Sequence, residues 1–449
     1  MKRVVRGVFV TVSAVLLGLS LVGWAASEHY LSGLSKVDVF GGLGGGPGWS
    51  GQPINVLLVG SDDRTGLSEK QRNRLRTGHE DYGRHTDTMM LLHLGEDLDN
   101  VSIVSIPRDS LVTIPAHTSP EGEALPQRQG KINSAFATGG PKTTVAAVQQ
   151  ATGVTIDHYV EINFQGFLKM VDAVDGVPVC LPEPLFDERS GLDLPAGQQT
   201  IKGKQALAYV RARYIDNDFG RAQRQQKFVA AMVQKITGSG TLLNPLALNN
   251  FVDAATSSVT TDERLGRDDV AALAARVADV ELGKVKFTTV PVSDGSHMFN
   301  GESTVLWDDT AAKELFASLV ADEPLPQPKK AKVVTVPPGD ISATVSGGTA
   351  DQAAKGLADL QDAGMQALSS GAPATGSAQT IVRYDPVWAQ SLATVQAMLP
   401  NAQYQEVPGM GGVFAIDIGT DYAGVDAVRS ASTSVERTVR AANDDICTG

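Results

Sequence analysis

An uncharged, apolar run from Gly7 to Ala26 constrains this chain more than any other feature. About 20 residues of helix span roughly 30 Å, which is the thickness of one hydrocarbon core. The run follows a short basic stretch, and positive flanks stay on the cytoplasmic side of a membrane. Residues 1–27 therefore predict a cytoplasmic stub and a single transmembrane anchor, with the rest of the chain outside the cell. A cleaved signal peptide is the alternative, but a cut after Ala26 would put Trp24 where a small side chain is needed.

Composition and cysteine content narrow the class of protein further. The chain has 449 residues, enough for two or three domains. Its formal net charge of −12 argues against nucleic acid as a partner, because binding a phosphate backbone requires a broadly basic face. Cys180 and Cys447 match no zinc-binding spacing, and in an oxidising space they predict a disulfide. Two unrelated thiols are the alternative.

Composition also divides the chain into segments. Residues 54–321 alternate strand-like and helix-like patterns, which predicts an α/β fold with three layers, α/β/α, around a central mixed sheet. A smaller α/β domain is predicted at 341–425. The remaining segments are a glycine-rich linker at 28–53, a proline-rich and charged linker at 322–340, and a tail at 426–449.

Hydrophobic periodicity gives the individual elements. The predicted strands lie at 54–60, 88–94, 101–107, 380–386 and 413–419, and the predicted helices at 141–153 and 349–368. The stretch HYVEINFQGFLKMVDAVDGVPVCLP predicts strand, helix and strand, and the polar segment 65–84 predicts a loop.

The stretch YVRARYIDNDFGRAQRQQ, residues 209–226, concentrates arginines in an otherwise acidic chain. Alternation at 209–214 predicts a strand with Arg211 and Arg213 on one face. Asp218 is expected to cap a following helix, which would carry Arg221 in its first turn. Along that helix, Arg221, Arg224, Gln225 and Phe228 recur on one side.

Four guanidinium groups held together repel one another, and a dense anion relieves that repulsion. Arginine forks match phosphate oxygens bidentately. The stretch therefore predicts a site for a multiply charged anion such as a pyrophosphate. A solvated stripe paired with nearby acids is the alternative.

Acidic side chains follow or precede three predicted strands. Asp62 follows the first strand, Asp87 precedes the second, and Arg108 and Asp109 follow the third. At one sheet edge these carboxylates could hold Mg²⁺, or Mn²⁺ in its place, because magnesium takes one or two carboxylates plus substrate phosphate oxygens. Ordinary turn or cap residues are the alternative.

These segments together resemble the LytR-CpsA-Psr family of envelope phosphotransferases. The resemblance covers residues 54–320 and rests on ordered motifs: NVLLVGSDDR, TDTMMLLHL, SIPRDS, KINSAFATGG, TGVTIDHYVEINFQGF, LPAG with IKGKQALAYVRAR, and DFGRAQRQQKF. The C-terminal region is similar, more weakly, to the small LytR-type domain of actinobacterial members.

The resemblance implies a function. Family members transfer a phosphoglycan from an undecaprenyl-pyrophosphate-linked glycopolymer to peptidoglycan, and release the lipid phosphate. The implied partners are that lipid-linked polymer, peptidoglycan and the membrane. The glycopolymer itself, whether arabinogalactan, teichoic acid, capsule or protein glycan, stays open.

The resemblance also assigns roles to residues. Asp62 and Asp87 would bind magnesium, and Asp218 would orient the arginines. The implied catalytic arginines are Arg108, Arg211, Arg213 and Arg221, and the implied substrate-binding residues are Arg84, Lys131, Asn133, Arg224 and Gln225. A polyprenyl tunnel would be lined from Phe164, Phe167, Leu168, Phe228, Val229 and Met232, which could equally be ordinary core residues.

Two departures from the family pattern stand out. His85 occupies the place of a usual arginine, with Arg84 just before it, and about 24 residues separate Asp62 from Asp87, a longer loop than expected. Three other functions stay open: a pyrophosphatase that uses water as acceptor, a binding protein for anionic polymers, and a membrane-tethered transcription regulator. No helix-turn-helix pattern supports the last of these.

Overall fold

The computed structural model describes twelve parts of the chain. These are residues 35–41, 52–64, 67–77, 86–96, 98–213, 215, 217–238, 259–265, 281–327, 332–372, 376–430 and 439–441. The predicted anchor at 7–26, Arg84 and Cys447 lie outside them, and the side chain of Asp218 is likewise not described. Within these parts, no helix combines the length and apolar character needed to cross a bilayer.

The described chain contains single strands between helices as well as runs of consecutive strands. The strands are β1 (Ser35–Val37), β2 (Ile54–Ser61), β3 (Thr86–Leu94), β4 (Val101–Ile106), β5 (Leu111–Ile114), β6 (His117–Thr118), β7 (Ala124–Leu125), β8 (Arg128–Lys131), β9 (His158–Ile162), β10 (Val177–Leu181), β11 (Leu185–Asp187), β12 (Leu192–Leu194), β13 (Gly197–Ile201), β14 (Val259–Asp262), β15 (Val285–Thr289), β16 (Val292–Phe299), β17 (Glu302–Trp307), β18 (Lys332–Val334), β19 (Ser342–Gly347), β20 (Gln366–Ser369), β21 (Ile381–Tyr384), β22 (Gln403–Glu406), β23 (Val413–Ile418), β24 (Val428–Ser430) and β25 (Arg440–Ala441). The α-helices are α1 (Glu69–Leu75), α2 (Ile132–Thr152), α3 (Phe164–Ala173), α4 (Gly203–Arg211), α5 (Asn217–Gly238), α6 (Asp309–Val320), α7 (Ala350–Asp362) and α8 (Ala389–Met398). Short 3₁₀ turns lie at Leu282–Lys284, Pro338–Asp340 and Pro386–Trp388.

A mixed sheet forms the centre of the larger unit, in the strand order β1-β14-β9-β2-β3-β4-β15-β25. The hairpin strands β2, β3 and β4 pair antiparallel, because the connections between them need no crossover. Strands β9 and β15 join this hairpin set in parallel, through longer connections. The predicted central mixed sheet is therefore confirmed.

Helices cover both faces of this sheet. Leu57 and Leu91 point to one face, where they join a core with Phe136 of α2 and Leu315 of α6. The alternate positions point to the other face, where Met90 contributes to a second cluster with α5. Because these strands carry apolar residues on both faces, helices pack on each side of the sheet and produce the three layers that the sequence predicts.

A second α/β unit follows, with a five-stranded sheet in the order β20-β19-β23-β21-β22. Its core contains Leu360 of α7, Val395 of α8 and Phe414 of β23. The helix expected at 349–368 ends at Asp362 instead, and residues 366–369 form β20. Gly364 adopts φ +86°, a left-handed conformation that favours glycine and terminates the helix.

Described parts of the predicted linkers and tail form strands or join the core, which composition does not indicate. Residues 35–37 form β1, and Phe40 is buried in the main core. Leu325 also belongs to that core, and β18 pairs with β24. Strand β25, from the tail, pairs with β15 at the sheet edge. The average polarity of a segment predicts a linker, but it does not detect single buried apolar residues or short strands within that segment.

The predicted strand at 209–214 is wrong, because helix α4 runs from Gly203 to Arg211. Its buried residues Ala206, Leu207, Ala208 and Tyr209 pack against the neighbouring helices and strands, and this packing selects the helix. Short apolar runs do not distinguish a strand from a helix by periodicity alone. Arg211 therefore lies in the last helical turn, while Arg213 lies beyond it.

The following helix starts two residues earlier than expected, because a cap at Asp218 would put the first helical residue at 219. Because α5 begins at Asn217, Asp218 is inside the helix rather than at its cap, and Arg221 lies just beyond the first turn. The predicted one-sided arrangement is confirmed, since its four members are buried: Arg221, Arg224, Gln225 and Phe228.

Asp262, the last residue of β14, holds together the chain segments at this end of the sheet. Its fully buried carboxylate accepts hydrogen bonds from the backbone amides of Tyr159, Arg264 and Leu265 and contacts Nδ1 of His158 at 3.2 Å. Although burial raises the pKa of Asp262, these donors outweigh it and the pKa lies below its usual value. Asp262→Asn should destabilise the fold by about 2–4 kcal/mol, because an amide would face backbone donors.

Urea unfolding at neutral pH measures this loss, with Asp340→Asn, at an exposed position, as the control. A carboxyl with a lowered folded pKa stabilises above its unfolded pKa of about 3.9 and loses that contribution as pH falls through the folded value. The difference between wild type and Asp262→Asn should therefore shrink in acid. An unchanged midpoint for Asp262→Asn at neutral pH would contradict the assignment.

Candidate active site

Two adjoining cavities open beside the end of the β2–β3 hairpin. The polar cavity, of about 260 Å³, is lined by Asp87, Asp187, Arg189, Ser190, Arg211, Arg213 and Arg221. The apolar cavity, of about 170 Å³, is lined mainly by aliphatic and aromatic side chains, including Phe164, Phe167, Phe228 and Val229. Asp87, Arg211 and Arg221 line both cavities and form their common wall.

The β2–β3 hairpin brings the two predicted metal ligands to one end of the sheet. Asp62 directly follows β2, as predicted, whereas Asp87 is the second residue of β3 rather than the residue before it. Ser61 pairs with Thr86 in register, so both aspartates are next to the same cross-strand pair. Each carboxylate is close enough to Arg211 to raise the pKa of its guanidinium.

Asp87 is the anionic centre of the common wall. Nη1 of Arg108 lies 2.5 Å from its Oδ1, and Nη1 of Arg221 lies 3.9 Å from the same atom. Burial raises the pKa of Asp87, but Arg221, Arg108 and Arg211 together outweigh burial and hold the pKa below its usual value. The carboxylate is therefore ionised at neutral pH.

Arg211 is fixed by the segment between the two aspartates. Its Nη1 and Nη2 donate to the carbonyl oxygens of Leu75 and Arg76, each at 3.1 Å. Its guanidinium lies over the ring of Phe164, 5.0 Å from the centroid. Burial lowers the pKa of Arg211, and Asp87 opposes that effect. These contacts hold the positively charged guanidinium of Arg211 between the polar and the apolar cavity.

The carbonyls that hold Arg211 belong to the last residue of helix α1 and to the residue that caps it, at a place where the sequence predicts a loop. A capping box starts this helix, in which Gln71 N donates to Ser68 Oγ at 3.3 Å and Ser68 N donates to Gln71 Oε1 at 2.8 Å. Ser-x-x-Gln is a known helix-start signal, so the sequence does contain the evidence for α1.

Arg224 and Gln225 hold the backbone that carries the other arginines. Nη2 of Arg224 donates to the carbonyl of Ala212, and Nε2 of Gln225 donates to the carbonyl of Val210 at 3.0 Å. Gln225 also lines the apolar cavity. Both residues position the 210–213 segment, and their direct contact with substrate stays a prediction.

Lys131 and Asn133 lie behind Arg108. The backbone amide of Asn133 donates to the carbonyl of Arg108 at 3.1 Å. Nζ of Lys131 lies 3.5 Å from Asp109 Oδ1 and 3.3 Å from Glu302 Oε2, and Asp109 in turn lies 3.5 Å from Nε of Arg108. This arrangement orients Arg108 toward Asp87, and a substrate contact by Lys131 or Asn133 stays a prediction.

Some predicted residues remain outside this geometry. Arg84, the Asp218 side chain and Cys447 are beyond the described parts of the chain. Cys180, on β10, is disulfide-bonded. Its pairing with Cys447 stays a prediction.

Sequence reasoning missed Asp187, Arg189 and Ser190, which enter the polar cavity from the β11–β12 hairpin. The signal was present as a short polar turn, DERSG, between two alternating apolar stretches. Nothing in that pattern indicates that the turn faces the arginines, because the contact depends on the tertiary fold.

The residues around the two aspartates suit a magnesium ion. Two carboxylates plus substrate phosphate oxygens and waters are a usual ligand set, so a third protein ligand is not required. In the described chain no group of three or more acidic, histidine or cysteine side chains forms a metal site. Ser61 Oγ and Thr86 Oγ1, both buried beside the aspartates, have no hydrogen-bond partner among the described residues. Ion-bound waters would satisfy such hydroxyls.

The fold and the site define a class: an α/β protein with a cavity lined by arginines and carboxylates beside an apolar cavity. A sequence profile described as the LytR_cpsA_psr family matches residues 36–320. The chain belongs to the LytR-CpsA-Psr family.

Individual relatives agree with this assignment. The chain is similar to a probable cell wall biosynthesis protein, LcpB, from Corynebacterium glutamicum, with 38% identity over 266 residues, 59% of this chain and 60% of LcpB. It is also similar to the polyisoprenyl-teichoic acid–peptidoglycan teichoic acid transferase TagU from Oceanobacillus iheyensis, with 33% identity over 44% of this chain and 58% of TagU. The matches thus span about 60% of these relatives' length. A crystal structure of protein gbs0355 from Streptococcus agalactiae has the same fold, with a TM-score of 0.50 and 21% identity over 61% of this chain and 90% of gbs0355.

Proposed function

We propose that this protein transfers a phosphoglycan from an undecaprenyl-pyrophosphate-linked donor to peptidoglycan. The observation that carries the proposal is the common wall of Asp87, Arg211 and Arg221 between an arginine-lined cavity and an apolar one. A lipid pyrophosphate has a charged part and an apolar part joined at one point, which matches this juxtaposition. TagU, a relative, is named as a transferase from a polyisoprenyl carrier to peptidoglycan.

The donor binds across the common wall. Its polyprenyl chain enters the apolar cavity, which four of the six side chains expected from the sequence line: Phe164, Phe167, Phe228 and Val229. Its pyrophosphate lies against the guanidinium groups of Arg211 and Arg221, where bidentate hydrogen bonds match phosphate oxygens. Arg213 lines the polar cavity only and so faces the glycan-side phosphate.

In the reaction, an acceptor hydroxyl oxygen on peptidoglycan attacks the glycan-side phosphorus, and its proton passes to water. The bond from that phosphorus to the bridging oxygen breaks, and polyprenyl phosphate leaves with the electron pair. Arg108, Arg211 and Arg221 neutralise the charge that develops on the phosphate oxygens, which is the main requirement of phosphoryl transfer. Magnesium, or manganese in its place, held by Asp62 and Asp87, would supply further charge neutralisation when bound.

The protein's place in the cell follows from the same proposal. The 7–26 segment anchors the chain in the cell membrane by a single pass, and the catalytic unit lies on the extracellular side with the lipid donor and peptidoglycan. The C-terminal unit is proposed to be a LytR-type domain, as its resemblance implies.

Release of undecaprenyl phosphate tests this function against simple polymer binding. The 449-residue chain in detergent is incubated with an undecaprenyl-pyrophosphate-linked sugar and a peptidoglycan acceptor, with magnesium or with a chelator. The proposal expects release that requires magnesium. Tight binding of the donor with no release under either condition would show a binding protein instead.

A further inference from the structure

The β11–β12 hairpin ends in a turn built around one buried carboxylate. Oδ1 of Asp187 accepts hydrogen bonds from the backbone amides of Arg189, at 2.9 Å, and Ser190, at 3.3 Å. Asp187 and Ser190 are both buried, at 4% and 8% exposure. This short closed turn places the side chains of Arg189 and Ser190 on the wall of the polar cavity.

The turn is tied to the arginine site from two sides. Oδ2 of Asp187 accepts from the backbone amide of Arg213 at 3.3 Å. The guanidinium of Arg76 donates to the carbonyl of Glu188, and the carbonyl of Arg76 accepts from Arg211 at 3.1 Å. The hairpin turn is thus held in register with both Arg211 and Arg213.

Gly191 makes room for the contact between Arg76 and the carbonyl of Glu188. It adopts φ +75°, and a Cβ atom added there would lie 3.0 Å from Cδ of Arg76. Any other residue would be strained in this conformation and would push Arg76 away. The sequence thus supplies a glycine at the one turn position where the arginine side chain packs against the backbone.

The position of the turn indicates which end of the donor it faces. Arg189 and Ser190 line the polar cavity but not the apolar one, whereas Arg211 and Arg221 line both. If the lipid occupies the apolar cavity, the hairpin turn lies on the opposite side of the pyrophosphate. That side holds the transferred phosphate and the first sugar of the glycan.

We propose that the turn Asp187–Ser190 is a subsite for the first sugar of the donor. The guanidinium of Arg189 and the hydroxyl of Ser190 offer donors and an acceptor that suit sugar hydroxyl and amide groups. Asp187 is the positioning residue that fixes both. This inference rests on the proposed function, because the lipid end defines which side of the pyrophosphate carries the sugar.

Binding measurements on the 449-residue chain in detergent, without magnesium or acceptor, test the subsite. The two probes are undecaprenyl-pyrophosphate-linked N-acetylglucosamine and undecaprenyl pyrophosphate without sugar. Arg189→Ala should raise Kd for the sugar-bearing probe about tenfold and for the sugarless probe less than twofold, since each tenfold is about 1.4 kcal/mol. Ser190→Ala should change the same ratio in the same direction.

Arg74→Ala is the matched control, because Arg74 is an exposed arginine of the neighbouring helix α1 that lines neither cavity. It should change neither Kd appreciably. Equal losses for both probes in Arg189→Ala would overturn the subsite and leave Arg189 a general cation, while leaving the proposed function intact. Failure of the wild-type chain to bind either probe would overturn the proposed function, and the subsite with it.

Discussion

Arg211→Ala is expected to lower the release of undecaprenyl phosphate by about a hundredfold to a thousandfold. Arg211 lines both cavities, and its guanidinium is oriented by two carbonyls before any substrate arrives. Removing one preorganised donor from a site where charge develops typically costs about a hundredfold to a thousandfold in rate. Steady-state release from the sugar-bearing donor with saturating magnesium measures the effect.

Two further variants separate catalysis from folding. Arg211→Lys keeps the charge but loses the planar fork, so its activity should fall between wild type and Arg211→Ala. Because Arg211 also anchors helix α1, thermal unfolding of each variant must accompany the rates. Arg74→Ala should match wild type. A fully active, folded Arg211→Ala protein would remove Arg211 from the reaction.

Asp87→Asn is expected to separate binding from turnover. Magnesium-dependent release should fall by about a hundredfold or more, because one of the two carboxylates proposed to hold magnesium is lost. Binding of undecaprenyl pyrophosphate without magnesium should instead tighten several-fold. Asp87 contacts Arg108 and faces Arg221, so its neutralisation leaves more positive charge for the anion.

This prediction is specific because turnover should fall while magnesium-free binding should tighten. A variant that merely unfolds the site would weaken both binding and turnover, and Asp340→Asn, far along the sequence on an exposed turn, should alter neither. Weaker magnesium-free binding by a folded Asp87→Asn protein would show that the carboxylate organises the arginines more than it competes with the anion.

Much of the framework follows from sequence pattern alone. The strand that precedes Asp62 is a near-continuous apolar run, and so is the next strand, whose pleat places Leu91 and Met90 on opposite faces. Helical spacing placed Arg221 and Arg224 on one side of α5, and both are buried there. These predictions succeed because they depend on local periodicity.

The contacts that complete the site depend on tertiary structure. The stretch around Arg211 alternates like a strand, but packing made it the end of a helix. The turn at Arg189 is an ordinary polar turn by sequence, and only the fold brings it opposite Arg213. Leu325 is an isolated apolar residue between two prolines at the start of a linker rich in proline and charge, so composition could not identify it as a core residue.

Mass spectrometry of the acceptor tests the central claim most directly. The 449-residue chain is incubated with magnesium, peptidoglycan fragments and an undecaprenyl-pyrophosphate-linked sugar, and the fragments are then analysed. The account predicts peptidoglycan that carries the sugar through one phosphate, formed in step with undecaprenyl phosphate. Free sugar phosphate with unmodified fragments would contradict it and would show a pyrophosphatase that uses water as its acceptor.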